Sequence, residues 1–186
     1  MALFRPSRPG AIVVASWLAL SGHAWAQALS EPALKAAFLY NFAKFTAWPA
    51  EAAAPGVPLA ICVVGDGAIV GMLRQVVASR PIDGRDVKPL AMAADGPLRS
   101  CHVLYVTGDD ARRDSDILDR VKAAPVLTVG ESDHFARMGG VVRLFVDGGK
   151  MRFGINVDAA QRAHLRISSK MLALGVVMKD EADGAH

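Results

Sequence analysis

The stretch Leu59-Ala60-Ile61-Cys62-Val63-Val64-Gly65-Asp66-Gly67, followed by the patterned residues 68–79, decides the fold. Six consecutive apolar residues predict a strand that is buried on both faces, because a half-exposed strand would alternate polar with apolar side chains. Gly65-Asp66-Gly67 predicts a turn. The spacing of the next apolar residues predicts a helix with one inward face, formed by Ile69, Leu73, Val76 and Val77. A buried strand that leads directly into such a helix is typical of α/β domains.

The rest of the chain repeats this alternation. Apolar runs predict further strands near residues 85–91, 103–106, 126–129, 141–146 and 151–157. Periodic segments predict helices over residues 31–48, 114–123 and 131–138 and a last helical region that begins at Asp158 and runs to residue 174. Gly148-Gly149 predicts a hairpin between the last two strands. We therefore predict an α/β fold: a single three-layer domain with a mostly parallel sheet of about five or six strands, flanked by helices, with an antiparallel hairpin at its edge.

The first 26 residues predict where the protein works. Arg5 and Arg8 give a basic start, residues 11–20 are apolar, and Ala24-Trp25-Ala26 has the small-x-small pattern of a signal-peptidase site. We expect cleavage after Ala26 and a mature periplasmic domain over residues 27–186. A membrane anchor is the alternative, but the apolar run is about half of the roughly 20 residues that span a bilayer.

The charge balance of the mature chain is close to neutral. Residues 1–26 contain two arginines and no acid, so their removal lowers the formal charge from +3 to +1. No lysine and arginine cluster of the kind that binds nucleic acid remains. We expect neither a nucleic-acid partner nor a cofactor.

Two cysteines, Cys62 and Cys101, are present. An even number of cysteines in an oxidising compartment favours a disulfide, and neighbouring strands could bring these two sulfur atoms together. Two buried thiols are the alternative. No histidine lies at ligand spacing from either cysteine, so we expect no metal site.

A glycine-rich turn suggests a ligand site. Gly65-Asp66-Gly67 with Gly71 matches part of a dinucleotide fingerprint, but the third glycine comes one place late. The alternatives are a tight turn that needs glycine and a helix N-terminus that binds a small anion or polar ligand. Asn156, at the end of the last predicted strand, either satisfies turn backbone or belongs to such a site. The candidate ligand-binding residues are therefore Gly65, Asp66, Gly67 and Asn156.

No assembled catalytic set is evident in the sequence. Glu131, Asp133 and His134 follow a strand end, where α/β folds often place sites, and His134 could act in acid–base catalysis. Helix capping by Ser132 or Asp133, with a surface histidine, explains the same residues. We predict no catalytic residue and no enzyme activity.

Several stretches, taken in order, resemble one family. They are residues 35–45 with Trp48-Pro49, Cys62-Val63-Val64-Gly65, Gly84-Arg85, Cys101-His102-Val103-Leu104-Tyr105, Val129-Gly130-Glu131, Phe153-Gly154-Ile155-Asn156 and residues 167–172. In this order they resemble the YfiR-like family of periplasmic proteins, over nearly the whole of residues 27–186.

The resemblance implies a regulator. It implies a repressor that binds the periplasmic region of an inner-membrane diguanylate cyclase and so lowers cyclic-di-GMP and biofilm output. An outer-membrane lipoprotein that sequesters the repressor and a homodimeric state are also implied. Cys62 and Cys101 match one family disulfide position, whereas the second cysteine pair of the best-known member is missing here.

The aromatic N-terminal helix is the candidate partner-binding element. Its aromatic side chains exceed what one inward stripe needs, and aromatic residues often dominate the energy of an interface. The alternative is that they belong to the core. The residues in question are Phe38, Tyr40, Phe42, Phe45 and Trp48. A periplasmic module that binds a small ligand is the alternative to the repressor.

Overall fold

The computed structural model describes residues 30–178, so the predicted signal peptide and its cleavage after Ala26 lie outside the described residues. The helices in this part of the chain are α1 (Glu31–Lys44), α2 (Gly67–Val77), α3 (Ala111–Arg120), α4 (Val157–Arg162) and α5 (Ser169–Leu174). The strands are β1 (Thr46–Ala47), β2 (Leu59–Val64), β3 (Val87–Ala91), β4 (Val103–Val106), β5 (Leu127–Gly130), β6 (Val142–Asp147), β7 (Lys150–Asn156), β8 (Arg166–Ile167) and β9 (Val176–Met178). None of the described helices is long and apolar enough to cross a bilayer.

Seven strands form the main sheet in the order β3-β2-β4-β5-β6-β7-β9. All neighbouring pairs are parallel except β6 and β7, which form an antiparallel hairpin. Gly148 and Gly149 both have positive φ, as the predicted turn of that hairpin requires. The predicted α/β class, with a mostly parallel sheet flanked by helices, is confirmed.

The two faces of the sheet carry different cores. Along β2, Ile61 and Val63 face a cluster built with α1, α2 and α4, whereas Cys62 and Val64 face a second cluster built with α3. Successive side chains of a strand point to opposite faces, so the continuous apolar run supplies both layers.

The sheet has one strand more than we predicted, and the antiparallel hairpin does not form its edge. Strand β9 pairs in parallel with β7 and lies outside the hairpin. Three residues are too short a run to show strand periodicity, and the pairing of β9 with β7 depends on contacts distant in sequence.

Three predicted helical segments have different bounds in the structure. Helix α1 ends at Lys44 rather than residue 48, because Thr46 and Ala47 pair with Ile167 and Arg166 of β8. That pairing also divides the predicted C-terminal helical region into α4, β8 and α5. Helix α3 begins at Ala111, three residues before its predicted start, because the side chain of Asp110 accepts the backbone N–H of Arg113.

Residues 131–138, predicted as a helix, form a series of turns. The ring of Phe135 fills the space beside two glycines: a Cβ on Gly130 or on Gly140 would lie 2.2 Å from it. Because both glycines lack a side chain, the chain folds back tightly over Phe135, which is fully buried. We refer to residues 131–140 as the Phe135 loop.

A disulfide joins Cys62 in β2 to Cys101, which lies just before β4. Strands β2 and β4 are hydrogen-bonded neighbours, and the two Cα atoms are 5.9 Å apart. The bond closes a loop of 39 residues that contains α2 and β3.

Loss of this disulfide is expected to destabilise the protein. In the chain-entropy model a loop of this length contributes about 4 kcal/mol. Cys62→Ser and Cys101→Ser should therefore lower the melting temperature by similar amounts, measured by thermal unfolding. Reductant should lower the melting temperature of the wild type and leave the variants unchanged; an unchanged wild type would contradict a stabilising bond.

Gly130→Ala should destabilise the protein because the added Cβ would displace the ring of Phe135. Overpacking of this kind typically costs about 1–3 kcal/mol in the free energy of unfolding. Gly71→Ala is the matched control, since a Cβ on Gly71 in α2 meets nothing within 4 Å. The control should be neutral or stabilising, and denaturant unfolding of both variants measures the difference; equal stabilities would refute the steric argument.

Candidate functional site

A cluster of polar side chains lies where β4 and β5 end at the carboxyl edge of the sheet. Glu131 follows β5, Tyr105 is in β4, Gly108 is in the loop after β4, and Lys35 reaches the cluster from α1. Tyr105 is fully buried, and the side chains of Lys35 and Glu131 are only 13% and 22% exposed. The fold thus brings together groups that are up to 96 positions apart in the sequence.

The carboxylate of Glu131 is the centre of this cluster. Its Oε1 accepts a hydrogen bond from the hydroxyl of Tyr105 and forms an ion pair with the ammonium of Lys35. Its Oε2 accepts the backbone N–H of Gly108 at 3.2 Å. The ammonium of Lys35 also lies 2.6 Å from Oε1 of Glu31, one turn earlier in α1. We refer to Lys35, Tyr105 and Glu131 as the clamp, because they join α1 to the sheet.

The electrostatics of the clamp keep the acid and the base charged. Burial would raise the pKa of Glu131, but hydrogen bonds from Lys35, Tyr105 and Gly108 outweigh it and hold that pKa below its usual value. Burial would lower the pKa of Lys35, but its contacts with Glu131 and Glu31 raise it instead. Burial and the adjacent carboxylate raise the pKa of Tyr105, so its hydroxyl remains a donor. A carboxylate held ionised in this way stabilises structure and is not poised for proton transfer near neutral pH.

A cavity of about 330 Å³ opens beside the clamp. Its lining includes Glu31, Lys35 and Glu131, an ion pair between Asp133 and Arg143, and the apolar side chains of the β6–β7 hairpin. The charged groups on this lining are paired with one another. Within residues 30–178, no three histidine, cysteine or acidic side chains are grouped closely enough to hold a metal ion.

The predicted ligand residues lie at opposite edges of the sheet. Gly65, Asp66 and Gly67 follow β2 at the carboxyl edge. Asn156 ends β7, which runs antiparallel to β6, and therefore lies at the amino edge, where its backbone N–H donates to the carbonyl of Val141 at 2.8 Å. The structure does not bring these residues into one site.

Three of these residues, Gly65, Asp66 and Asn156, have a local structural role. The side chain of Asp66 accepts the backbone N–H of Ala68 at 2.8 Å and caps α2. A Cβ on Gly65 would lie 2.0 Å from the hydroxyl of Thr107, which explains the glycine there. Asn156 is 1% exposed; its amide donates to the carbonyl of Ala136 at 2.9 Å and its oxygen accepts the N–H of Ala159 at 2.9 Å.

The predicted partner-binding aromatics pack against the core. Phe42 is 2% exposed, so it is not available to a partner. Phe38 is half-buried, and its ring contacts the rings of Phe42 and Phe153 at centroid distances of 5.7 and 5.8 Å. Tyr40, Phe45 and Trp48 are partly buried against the same cluster. Packing against the core therefore explains most of the aromatic side chains that we named as candidates for partner binding.

Two histidines lie in different environments. His134 is exposed and its Nδ1 lies 2.6 Å from Nη2 of Arg137, whereas Glu131 and Asp133 pair with other groups. His102 is buried: its Nδ1 accepts the N–H of Ala60, and its Nε2 lies 2.7 Å from the carbonyl of Ala52. Burial lowers the pKa of His102, so it is neutral at pH 7.

Sequence reasoning did not identify the clamp as a unit. The position of Glu131 after a predicted strand marked it as a candidate site residue, but nothing connected it with Lys35 or Tyr105. All three residues lie within the stretches that carry the family resemblance, and that shared property is the signal that could have grouped them.

A comparison with known protein families agrees with the resemblance that the sequence stretches indicate. The YfiR/HmsC-like family model matches residues 32–176, and the chain belongs to this family. The family consists of periplasmic regulators without catalytic activity, which act in cyclic-di-GMP signalling and in general contact the periplasmic region of a membrane cyclase.

A solved structure supports the fold. The crystal structure of a conserved domain protein from Vibrio cholerae O1 biovar El Tor is similar, with a TM-score of 0.50 and 14% sequence identity. The match covers 65% of this chain and 54% of that protein, so the chain spans about half of its length.

Removal of the Lys35 ammonium is expected to weaken the clamp. Lys35→Met leaves the half-buried carboxylate of Glu131 without its cation, which should lower the free energy of unfolding by about 2 kcal/mol. Because the folded-state pKa of Glu131 is depressed, the stability it contributes is present above about pH 5 and is lost as the pH falls through that pKa. The variant should therefore begin acid unfolding at a higher pH than the wild type.

Lys44→Met is the control, since Lys44 is an exposed lysine at the end of the same helix. Denaturant titrations between pH 3 and pH 7 compare the two variants. Equal stabilities and equal acid transitions would show that the ion pair contributes no more than a surface lysine does.

Proposed function

We propose that this protein represses an inner-membrane diguanylate cyclase by binding its periplasmic region, and so lowers cyclic-di-GMP and biofilm output. In this proposal the working form is the periplasmic domain released by cleavage after Ala26. An outer-membrane lipoprotein that sequesters it would relieve the repression, and the repressor itself would be a homodimer. The observation that carries the proposal is the family match over residues 32–176.

The contact surface that we propose is the outer strand β9. The exposed large apolar side chains there are Val176 and Val177 of β9 and Leu174 at the end of α5, with exposed fractions of 55%, 51% and 78%. We refer to these three residues as the β9 patch. Contiguous exposed apolar side chains of this kind often mark a protein–protein contact.

The two edge strands of the main sheet differ in a way that favours β9. At the other edge, β3 carries Pro89, which has no N–H to donate, and the exposed Lys88. Proline and lysine protect an edge strand against pairing with another chain. Strand β9 is apolar throughout, and among the described residues it pairs only with β7. An added strand from the cyclase could therefore continue the sheet at β9.

The β9 patch is continuous with the aromatic cluster under α1. A Cβ on Gly175 would lie 2.5 Å from the ring of Phe153, so the chain before β9 rests on that ring. Phe153 in turn contacts Phe38 and Phe42. The predicted aromatics therefore support the proposed surface from beneath, and Phe38 and Tyr40 remain part of the proposal as half-buried neighbours.

The proposal predicts that deletion of the gene raises cellular cyclic-di-GMP and that the wild-type gene restores the lower level. The double variant Leu174→Glu/Val176→Glu should fold but fail to restore it, because two carboxylates would be buried at the contact. Val57→Glu is the matched control: Val57 is 47% exposed, and it lies before β2 rather than in β9. This control should restore repression fully.

The measurements are nucleotide quantification in the deletion and complemented strains, and binding of the purified proteins to the periplasmic region of the cyclase encoded nearest to the gene. Thermal unfolding verifies that each variant folds. Unchanged cyclic-di-GMP on deletion would contradict the repressor function. Repression by the double variant equal to that of the wild type would instead contradict only the β9 patch.

A further inference from the structure

A second and larger cavity, of about 610 Å³, opens at the amino edge of the sheet. It lies between the end of α3, the helix α4 and the last residues of the Phe135 loop. Ligand pockets typically measure roughly 300–1,000 Å³, so this one has room for a small organic molecule. It is separate from the clamp, which lies at the carboxyl edge, and from the β9 patch.

The floor of this cavity is apolar. Leu118 of α3 and four residues that directly adjoin α3, β5, β6 and α4 form it. None of these buried aliphatic side chains is more than 8% exposed: Leu118, Val121, Val126, Val141 and Ala163. Water on such a floor has few hydrogen-bond partners. An apolar group that displaced this water would gain roughly 25 cal/mol for each Å² of apolar surface buried.

The rim of the cavity is basic. Lys122 and Arg137 lie on it, against a single acid, Asp119. Neither Lys122 nor Arg137 forms an ion pair with any residue among 30–178; Arg137 instead contacts a ring nitrogen of His134. By contrast, Arg143 and Lys35 beside the smaller cavity are paired with acids. The excess of positive charge at the rim attracts an anion.

Buried hydrogen bonds fix the walls of the cavity. The hydroxyl of Thr128 in β5 accepts the N–H of Val141 at 2.9 Å, and this bond joins β5 to the start of β6 beneath the floor. Asn156 joins the Phe135 loop to α4 through the carbonyl of Ala136 and the N–H of Ala159. A wall that is already ordered loses little entropy when a ligand binds.

We propose that this cavity binds a small amphipathic organic anion, with its apolar body on Val121 and Val141 and its acid group at Arg137 and Lys122. The ligand class is an acid with a hydrocarbon portion, such as a medium-chain carboxylate. The site is distinct from the predicted one at Gly65, Asp66 and Gly67. Its test uses the purified protein alone, so its outcome does not depend on the repressor function.

Calorimetric titration with decanoate, kept below its micelle concentration, tests the proposal on the purified protein. We expect saturable binding that weakens as salt is added. Decanol and decyltrimethylammonium have the same chain without the negative charge and should bind at least about tenfold more weakly, because a charge-assisted hydrogen bond is lost. Equal binding of decanoate and decanol would overturn the anion assignment, and absence of saturable decanoate binding would overturn the site.

Variants locate the site. Arg137→Gln should weaken decanoate binding by about tenfold, and Lys122→Gln/Arg137→Gln more strongly. Arg112→Gln is the matched control, since it removes the same charge from the exposed start of α3 and should bind as the wild type does. Ala163→Phe should block the floor. Equal affinities for Arg137→Gln and Arg112→Gln would overturn the assignment even if Ala163→Phe failed to fold.

Discussion

One carboxylate joins α1 to the main sheet. The carboxylate of Glu131 accepts an ammonium from α1, a phenol from β4 and a backbone N–H from the loop after β4, so α1 and the end of β4, which are distant in sequence, meet at its two oxygens. Such a buried group is costly when any donor is removed, because the remaining charge has lost contact with water. Lys35 is the one charged donor and the one that α1 supplies. The clamp therefore fixes where the aromatic face of α1 meets the sheet.

The Phe135 loop connects the two edges of the molecule. It begins at Glu131 in the clamp and ends at the wall of the larger cavity, where Met138 and Gly139 lie. Between these ends, Phe135 is held between two glycines, and the hydroxyl of Ser132 donates to the buried carboxylate of Asp114 in α3 at 2.8 Å. Burial raises the pKa of Asp114. A ligand in the larger cavity and the ion pair in the clamp thus share one tightly packed segment.

Local pattern predicted much of the fold, and contacts between distant residues account for the rest. The buried run at β2, the glycine hairpin and the alternation of strands and helices are short-range signals, and the α/β class follows from them. The early end of α1 and the existence of β9 depend on pairing with β8 and β7, which no local window contains. The same limit applies to the site. Asn156 and Asp66 both lie at the C-terminal end of a strand in the sequence, but the reversal of β7 places them at opposite edges of the sheet.

Phe153 links the clamp to the proposed docking strand. The centroid of its ring lies 5.0 Å from that of Phe42 and 5.8 Å from that of Phe38, so Phe153 packs directly against α1. On its other side it contacts Gly175, where the absence of a side chain lets the chain approach closely before β9 begins. Close-packed interiors transmit displacement because they contain few voids to absorb it. If loss of the Lys35–Glu131 pair shifts α1, the ring of Phe153 would therefore move with it. Because Phe153 packs against Gly175, the backbone that leads into β9 would move as well.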